Sequence, residues 1–150
     1  MGTTSQYFSD VHATVLRQHA EIRARLRGLD AAASPASPVS RAFLRISLLR
    51  LATLFDSHLA FEEAELAPRI RELDAWGPVR ESAMRAEHIE QRTRLQRVCA
   101  MAEEDSVDDV WFASEASWLV VSLLEDMAHE ELELSALEEI DEYGAGQMTG

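Results

Sequence analysis

His58 and Glu62 stand four residues apart, as do Asp126 and Glu130. That spacing is about one helical turn, so each pair shares a helix face. They sit in stretches that vary one pattern: His58-Leu59-Ala60-Phe61-Glu62-Glu63-Ala64-Glu65-Leu66 and Asp126-Met127-Ala128-His129-Glu130-Glu131-Leu132-Glu133-Leu134. Both stretches lie in apolar-periodic runs, so the shared face should point into a helical core. Carboxylates are almost never fully buried unless paired or bound to metal. His19 and His88 occupy like surroundings on two further expected helices. An isolated His-x-x-x-Glu is more often a surface pair. Convergence of such residues from four helices turns the reading toward a metal site inside a bundle.

The expected ligand set is His19, His58, Glu62, His88, Asp126 and Glu130. Imidazole suits iron, zinc and copper, while carboxylates suit harder ions and can bridge two of them. Three ionised carboxylates would bring a charge of −3 into a core, and two divalent ions would supply +4. Three histidines and three carboxylates fit two non-haem iron ions, with manganese or zinc as alternatives. Structural zinc usually takes four ligands, often including cysteine. His129, His12 and Glu133 are secondary candidates. His129 and Glu133 form a second His-x-x-x-Glu three residues on, but that register turns Glu125 and Asp126 to the core. His12 reads as a partly exposed residue of helix one. Glu63 and Glu131 read as rim charges.

Four helices must position these groups. The first is expected over about Ser5 to Leu29, with Val11, Val15, Ile22, Leu26 and Leu29 as its apolar stripe. The segment Asp30 to Pro38 reads as a linker. Ser37 followed by Pro38 reads as an N-cap with proline at the first helical position. The second helix runs to about Leu73 through Leu44, Leu48, Leu51, Leu54, Phe55 and Leu66, with a kink expected at Pro68. After a turn at Asp74 to Pro78, the third helix runs to about Ala102 with Met84, Leu95 and Val98 in register. Ser106 and Asp109 resemble a capping box. The fourth runs from about Asp109 to Tyr143 through Trp111, Leu119, Leu123, Leu134 and Leu137. Residues 144–150 read as a flexible tail. Trp76, Trp111 and Trp118, with Phe55 and Phe61, are expected in core or helix-end packing. Short connections favour an all-α, antiparallel up-down-up-down four-helix bundle in one domain over residues 1–150, with its core at about 8–143.

Bulk composition narrows the classes. The 150 residues suit one domain with a substantial core. No twenty-residue apolar span exists, and Met1 to Gln6 lacks the regions of a secretory signal. The single cysteine, Cys99, fits a reducing compartment, so the expected location is cytoplasmic. All 14 basic residues are arginine and the last is Arg97. Residues 1–97 hold 12 acidic groups and net +2, while 98–150 hold 15 acidic groups, no Lys or Arg, and net −15. Such a chain should avoid nucleic acid and anionic membranes. The acidic final segment reads as a solvated face. A homo-oligomer stays open.

Over roughly residues 8–140 the sequence resembles the hemerythrin-like, or HHE cation-binding, domain. The resemblance rests on Leu16-Arg17-Gln18-His19-Ala20-Glu21-Ile22, on Phe55 to Pro68, on Ala86-Glu87-His88-Ile89 and on Glu125 to Glu131. It implies a four-helix bundle around a carboxylate-bridged di-iron centre with one open position for dioxygen or nitric oxide. It further implies Glu62 and Glu130 as bridges and His19, His58 and His88 as terminal ligands. Asp126 departs from the family's usual histidine. Arg92 stands where the oxygen carriers have another histidine. Greater carboxylate donation favours ferric over ferrous iron. The expectation is therefore iron oxidation, peroxide or nitric oxide chemistry, or iron handling, rather than reversible oxygen carriage. A metal-responsive sensor or interaction module, and a bundle whose site has degenerated, are the other classes. Nothing in the sequence specifies catalytic turnover.

Overall fold

The computed structural model describes residues 4–34 and 40–148, with side chains for 6–34 and 40–144. It is all-helical, a bundle with no strand among the described residues. Helix α1 spans Thr4–Ala33 and α2 spans Arg41–Phe61. A five-residue π-helical segment, Glu62–Leu66, joins α2 to the short α3, Ala67–Leu73. Helix α4 spans Gly77–Glu103 and α5 spans Asp109–Met148. None is long and apolar enough to cross a membrane.

The expected stripes are buried. Val15, Ile22 and Leu26 on α1, Leu48, Leu51 and Phe55 on α2, and Leu119, Leu123 and Leu134 on α5 are all buried. They do not form one continuous core. One apolar cluster gathers Ile22, Leu26, Leu48, Leu51, Phe55 and Leu123. A smaller one gathers Phe8, Val15, Leu66, Ile70, Leu134 and Leu137. Along α1 the break falls between Val15 and Ile22, where His19 stands. Along α5 it falls between Met127 and Leu134, around Glu130. A polar layer therefore separates two hydrophobic halves.

Several local expectations need correction. The proposed cap at Ser37 and Pro38 lies outside the described residues. Ser40 caps α2 instead, its hydroxyl accepting from the Phe43 N–H at 3.3 Å. The α5 cap is Asp108, not a Ser106–Asp109 box. Its carboxylate accepts from the Val110 N–H at 2.7 Å and the Trp111 N–H at 3.3 Å. Pro68 does not simply kink the second helix. Its ring would clash with the carbonyl four residues back, and the preceding turn widens, so that the Ala67 N–H reaches Glu62 O. The final helix runs past Tyr143, and the backbone of the expected tail is helical as far as Met148. Trp76, Trp111 and Trp118 are 66%, 61% and 69% exposed, so none is a core residue. Phe112, next to Trp111, takes the buried place.

Two contacts hold the helix ends. Arg41 donates to the Val107 carbonyl at 2.5 Å, to Met101 at 2.8 Å and to Glu104 at 2.9 Å. It thus adds a second donor to the Met101 and Glu104 carbonyls, which already accept from the Glu104 and Val107 N–H groups where α4 ends. Its guanidinium also lies over the Phe112 ring, 5.2 Å from the centroid. Gly77 starts α4 so close to α3 that a Cβ there would fall 2.1 Å from Arg71 O. Only glycine fits that approach.

Candidate metal centre

Four of the expected residues are buried at the polar layer: His19, His58, Glu62 and His88. Glu130 joins them from α5, with about a fifth of its side chain exposed. The layer draws on α1, α2, the first π residue, α4 and α5. Two overlapping groups have potential ligand atoms within 4.8 Å of one another: His19, His58 and Glu130; and Glu62, His88 and Glu130. His19 Nε2 lies 2.9 Å from Glu130 Oε1, and His58 Nε2 lies 2.8 Å from Glu62 Oε1. His88 Nε2 is 3.6 Å from the same Glu62 oxygen, and His58 Nε2 is 3.9 Å from Glu130 Oε1. Glu130 belongs to both groups, and Glu62 neighbours both His58 and His88.

Each histidine is oriented by its other nitrogen. His19 Nδ1 faces Glu131 Oε2 at 3.2 Å, His58 Nδ1 faces Gln18 Oε1 at 2.7 Å, and His88 Nδ1 faces Glu63 Oε1 at 3.2 Å. These partners are oxygen acceptors, so Nδ1 carries the proton and the Nε2 lone pair points inward. The two outer carboxylates are themselves held by arginine. Arg23 donates to Glu131, and Arg92 pairs with Glu63 at 2.6 Å and with Asp56 at 3.1 Å. Metal-binding histidines are commonly held this way, through an N–H donated to an outer carboxylate or carbonyl. Glu63 and Glu131 do lie at the rim, but as orienting groups. Sequence reasoning missed that role, and the roles of Gln18 and Arg23. The signal available was the doubling of glutamate at 62–63 and 130–131.

The electrostatics call for a cation. Burial, with neighbouring His58, lowers the His19 pKa and favours its neutral form. Its Nε2 lone pair then faces Glu130 Oε1 at 2.9 Å, a contact that needs either a proton on that carboxyl or a cation between the two. Burial works to raise the Glu62 carboxyl, but N–H donation and positive charge at the Nε2 of His58 and His88 outweigh it and hold that group below the usual carboxylate range; with those rings neutral, a cation in the same place would do so. Burial and the Glu62 charge push Glu130 well up. Of the pair, Glu62 is the more acidic and Glu130 the less acidic group. Both Glu62 oxygens, His19 Nε2, His88 Nε2 and Glu130 Oε1 are buried without a hydrogen bond. Such orphaned groups are costly, and a donor set of imidazole and carboxylate matches what divalent transition ions bind. The residues fit a metal.

The remaining candidates are not brought to this layer. Asp126 accepts from Gln91 Nε2 at 3.2 Å and pairs with Arg94 at 3.1 Å. It lies in neither close group. Gln91 is buried beside it, and sequence reasoning did not single it out. His129 is exposed and lies 3.5 Å from Glu133 on the outer face of α5. His12 is buried rather than partly exposed, but its Nδ1 meets Glu138 at 2.5 Å. It sits two turns, about 10 Å, from His19 along α1. Cys99 is half-buried, with its thiol 4.0 Å from Leu48 O, and burial raises its pKa. Compared with known proteins, the chain matches no family model, no curated protein and no solved structure.

Proposed function

We propose that this chain is a non-haem di-iron protein of hemerythrin-like type that binds or processes dioxygen, peroxide or nitric oxide, or handles iron. One observation carries the reading. Three histidines turn their Nε2 atoms toward one pair of carboxylates, Glu62 and Glu130, while each Nδ1 is fixed from outside. In this reading His19, His58, His88, Glu62 and Glu130 would hold the ions. Asp126, held by Gln91 and Arg94, lies one turn before Glu130 on α5 and outside this set. The absence of cysteine from the cluster favours iron or manganese over structural zinc. Bound iron would supply redox chemistry toward dioxygen, peroxide or nitric oxide, or a store of metal to pass on. The protein's own part is to hold neutral imidazoles and two carboxylates in a fixed layer between apolar walls.

The up-down-up-down order belongs to the same reading. His12 meets Glu138 and His19 meets Glu131, so partners on α5 fall in number as α1 rises. That pairing supports antiparallel neighbours. The test is metal content of tag-free protein expressed with added iron. About two irons per chain are expected, falling in Glu62→Ala and His88→Ala. One zinc or less per chain, with an unchanged helical spectrum, would overturn the proposal.

A further inference from the structure

A second feature lies toward the α3 end of the bundle, next to the histidine layer, with which it shares Glu130. α4 and α5 part there and leave an open cavity of about 300 Å³. Taking a share of about 30 Å³ for each water in the liquid, that is room for roughly ten. Small residues make the gap: Ala83 on α4 and Ala136 on α5 line it where larger side chains would close it. The walls are apolar, with Leu66, Ile70, Met84, Leu134, Leu137 and Ile140 among them.

The charged groups of the lining are strongly biased. Arg80 is its one cation, and it already pairs with Asp74 at 2.7 Å. Glu87 on α4 and Glu133 on α5 both line the cavity. Glu87 has no hydrogen bond or ion pair among the described residues. Among the described residues Glu133 is met only by the exposed His129 at 3.5 Å. Glu130 also lines the cavity but belongs to the histidine layer, so the site for a cation falls to Glu87 and Glu133. The cavity thus offers a greasy body and acidic groups without a partner cation.

We propose that this cavity binds a small apolar amine, its ammonium between Glu87 and Glu133 and its hydrocarbon chain among Leu66, Ile70, Met84 and Leu137. A bare metal cation would leave the apolar walls unused, and a carboxylic acid would meet acidic groups. An ammonium with a short alkyl chain satisfies both parts of the lining.

The test is titration of the full chain with hexylamine, hexanol and hexanoate, followed by calorimetry and by amide chemical shifts. Hexylamine is expected to saturate, with shifts centred on Ala83, Met84 and Leu137. Hexanol should bind about tenfold more weakly, and hexanoate more weakly still. Each methylene added to the amine should tighten binding about fourfold until the cavity is filled. Ala83→Trp, at an exposed position, should remove binding of amine and alcohol alike while the helical spectrum is kept. Glu87→Gln combined with Glu133→Gln should bring hexylamine down to the level of hexanol without changing hexanol. Equal binding of hexanoate and hexylamine, shifts centred elsewhere, no saturation, or full affinity in Ala83→Trp would each overturn the proposal.

Discussion

Replacing Glu130 with glutamine should stabilise the metal-free protein and weaken the metal-loaded one. Glu62 and Glu130 offer ligand oxygens no farther than 4.8 Å apart. At an effective dielectric of about 20, two unit charges at that separation repel by roughly 3.5 kcal/mol. The upward push on Glu130 relieves part of this, so the net gain from removing the charge is on the order of 1–2 kcal/mol. For a chain of this size that raises Tm by about 2–8 °C. The pH dependence has a definite sign. Glu130 is pushed up from its ordinary value of 4.5. Above that value the folded chain keeps a proton that the unfolded chain has lost. Metal-free wild type therefore loses stability as pH rises from there through the raised value of Glu130, and Glu130→Gln should not. Added iron reverses the ranking, because saturation at about a hundred times Kd adds about 2.7 kcal/mol to a chain that binds it. Circular dichroism melts of chelated and iron-loaded samples between pH 5 and 8 would measure both effects. If Glu130→Gln lowers Tm equally in the two states, Glu130 is an ordinary structural partner of His19 and the argument fails.

Other substitutions separate the parts of the site. Glu63→Ala frees the Nδ1 of His88 and should cut metal affinity about 10- to 100-fold, read by chelator competition, with little change in the metal-free melt. Asp126→Ala should keep the full metal count, since Arg94 and Gln91 hold that carboxylate. Loss of one equivalent would put it among the ligands. Arg41→Ala removes three hydrogen bonds to backbone carbonyls, the pair with Asp109 and the contact with Phe112, and should cost about 2–4 kcal/mol by urea denaturation without altering metal content. Gly77→Ala should cost about 3 kcal/mol or more, because its Cβ meets backbone that cannot move aside; an unchanged urea midpoint would show that α3 and α4 are not packed so tightly.

Much of this was legible in the chain because helical period and residue chemistry point the same way. Val15, His19, Ile22 and Leu26 share a face, and so do Phe55, His58, Glu62 and Leu66, and the structure buries them all. His58 and Glu62 were readable from spacing alone. Asp126 was not, since its place depends on Arg94 and Gln91 from another helix. Periodicity says which face a residue occupies but not which neighbour reaches it first. His12 follows the same logic: its heptad relation to His19 fixed the face, while depth along the bundle set it against Glu138. The tryptophans misled because size and apolarity are averages over many proteins. Trp111 and Phe112 are adjacent, and the one-residue rotation that separates them is finer than pattern alone resolves. The π segment left a trace in Pro68, but a kink and a widened turn relieve the same clash.

The split core has a consequence for how the molecule opens. Hydrophobic contact is what usually makes a small domain unfold as a unit, and here that contact is interrupted midway by imidazoles and carboxylates. The half with Phe8, Leu66 and Leu137 and the half with Leu26, Leu48 and Phe112 can each breathe with only a polar seam between them. A cation in the seam would tie α1, α2, α4 and α5 together at one point. Amide exchange in the two halves would then slow together. The metal would matter less as extra stability than as the joint through which one half senses the other.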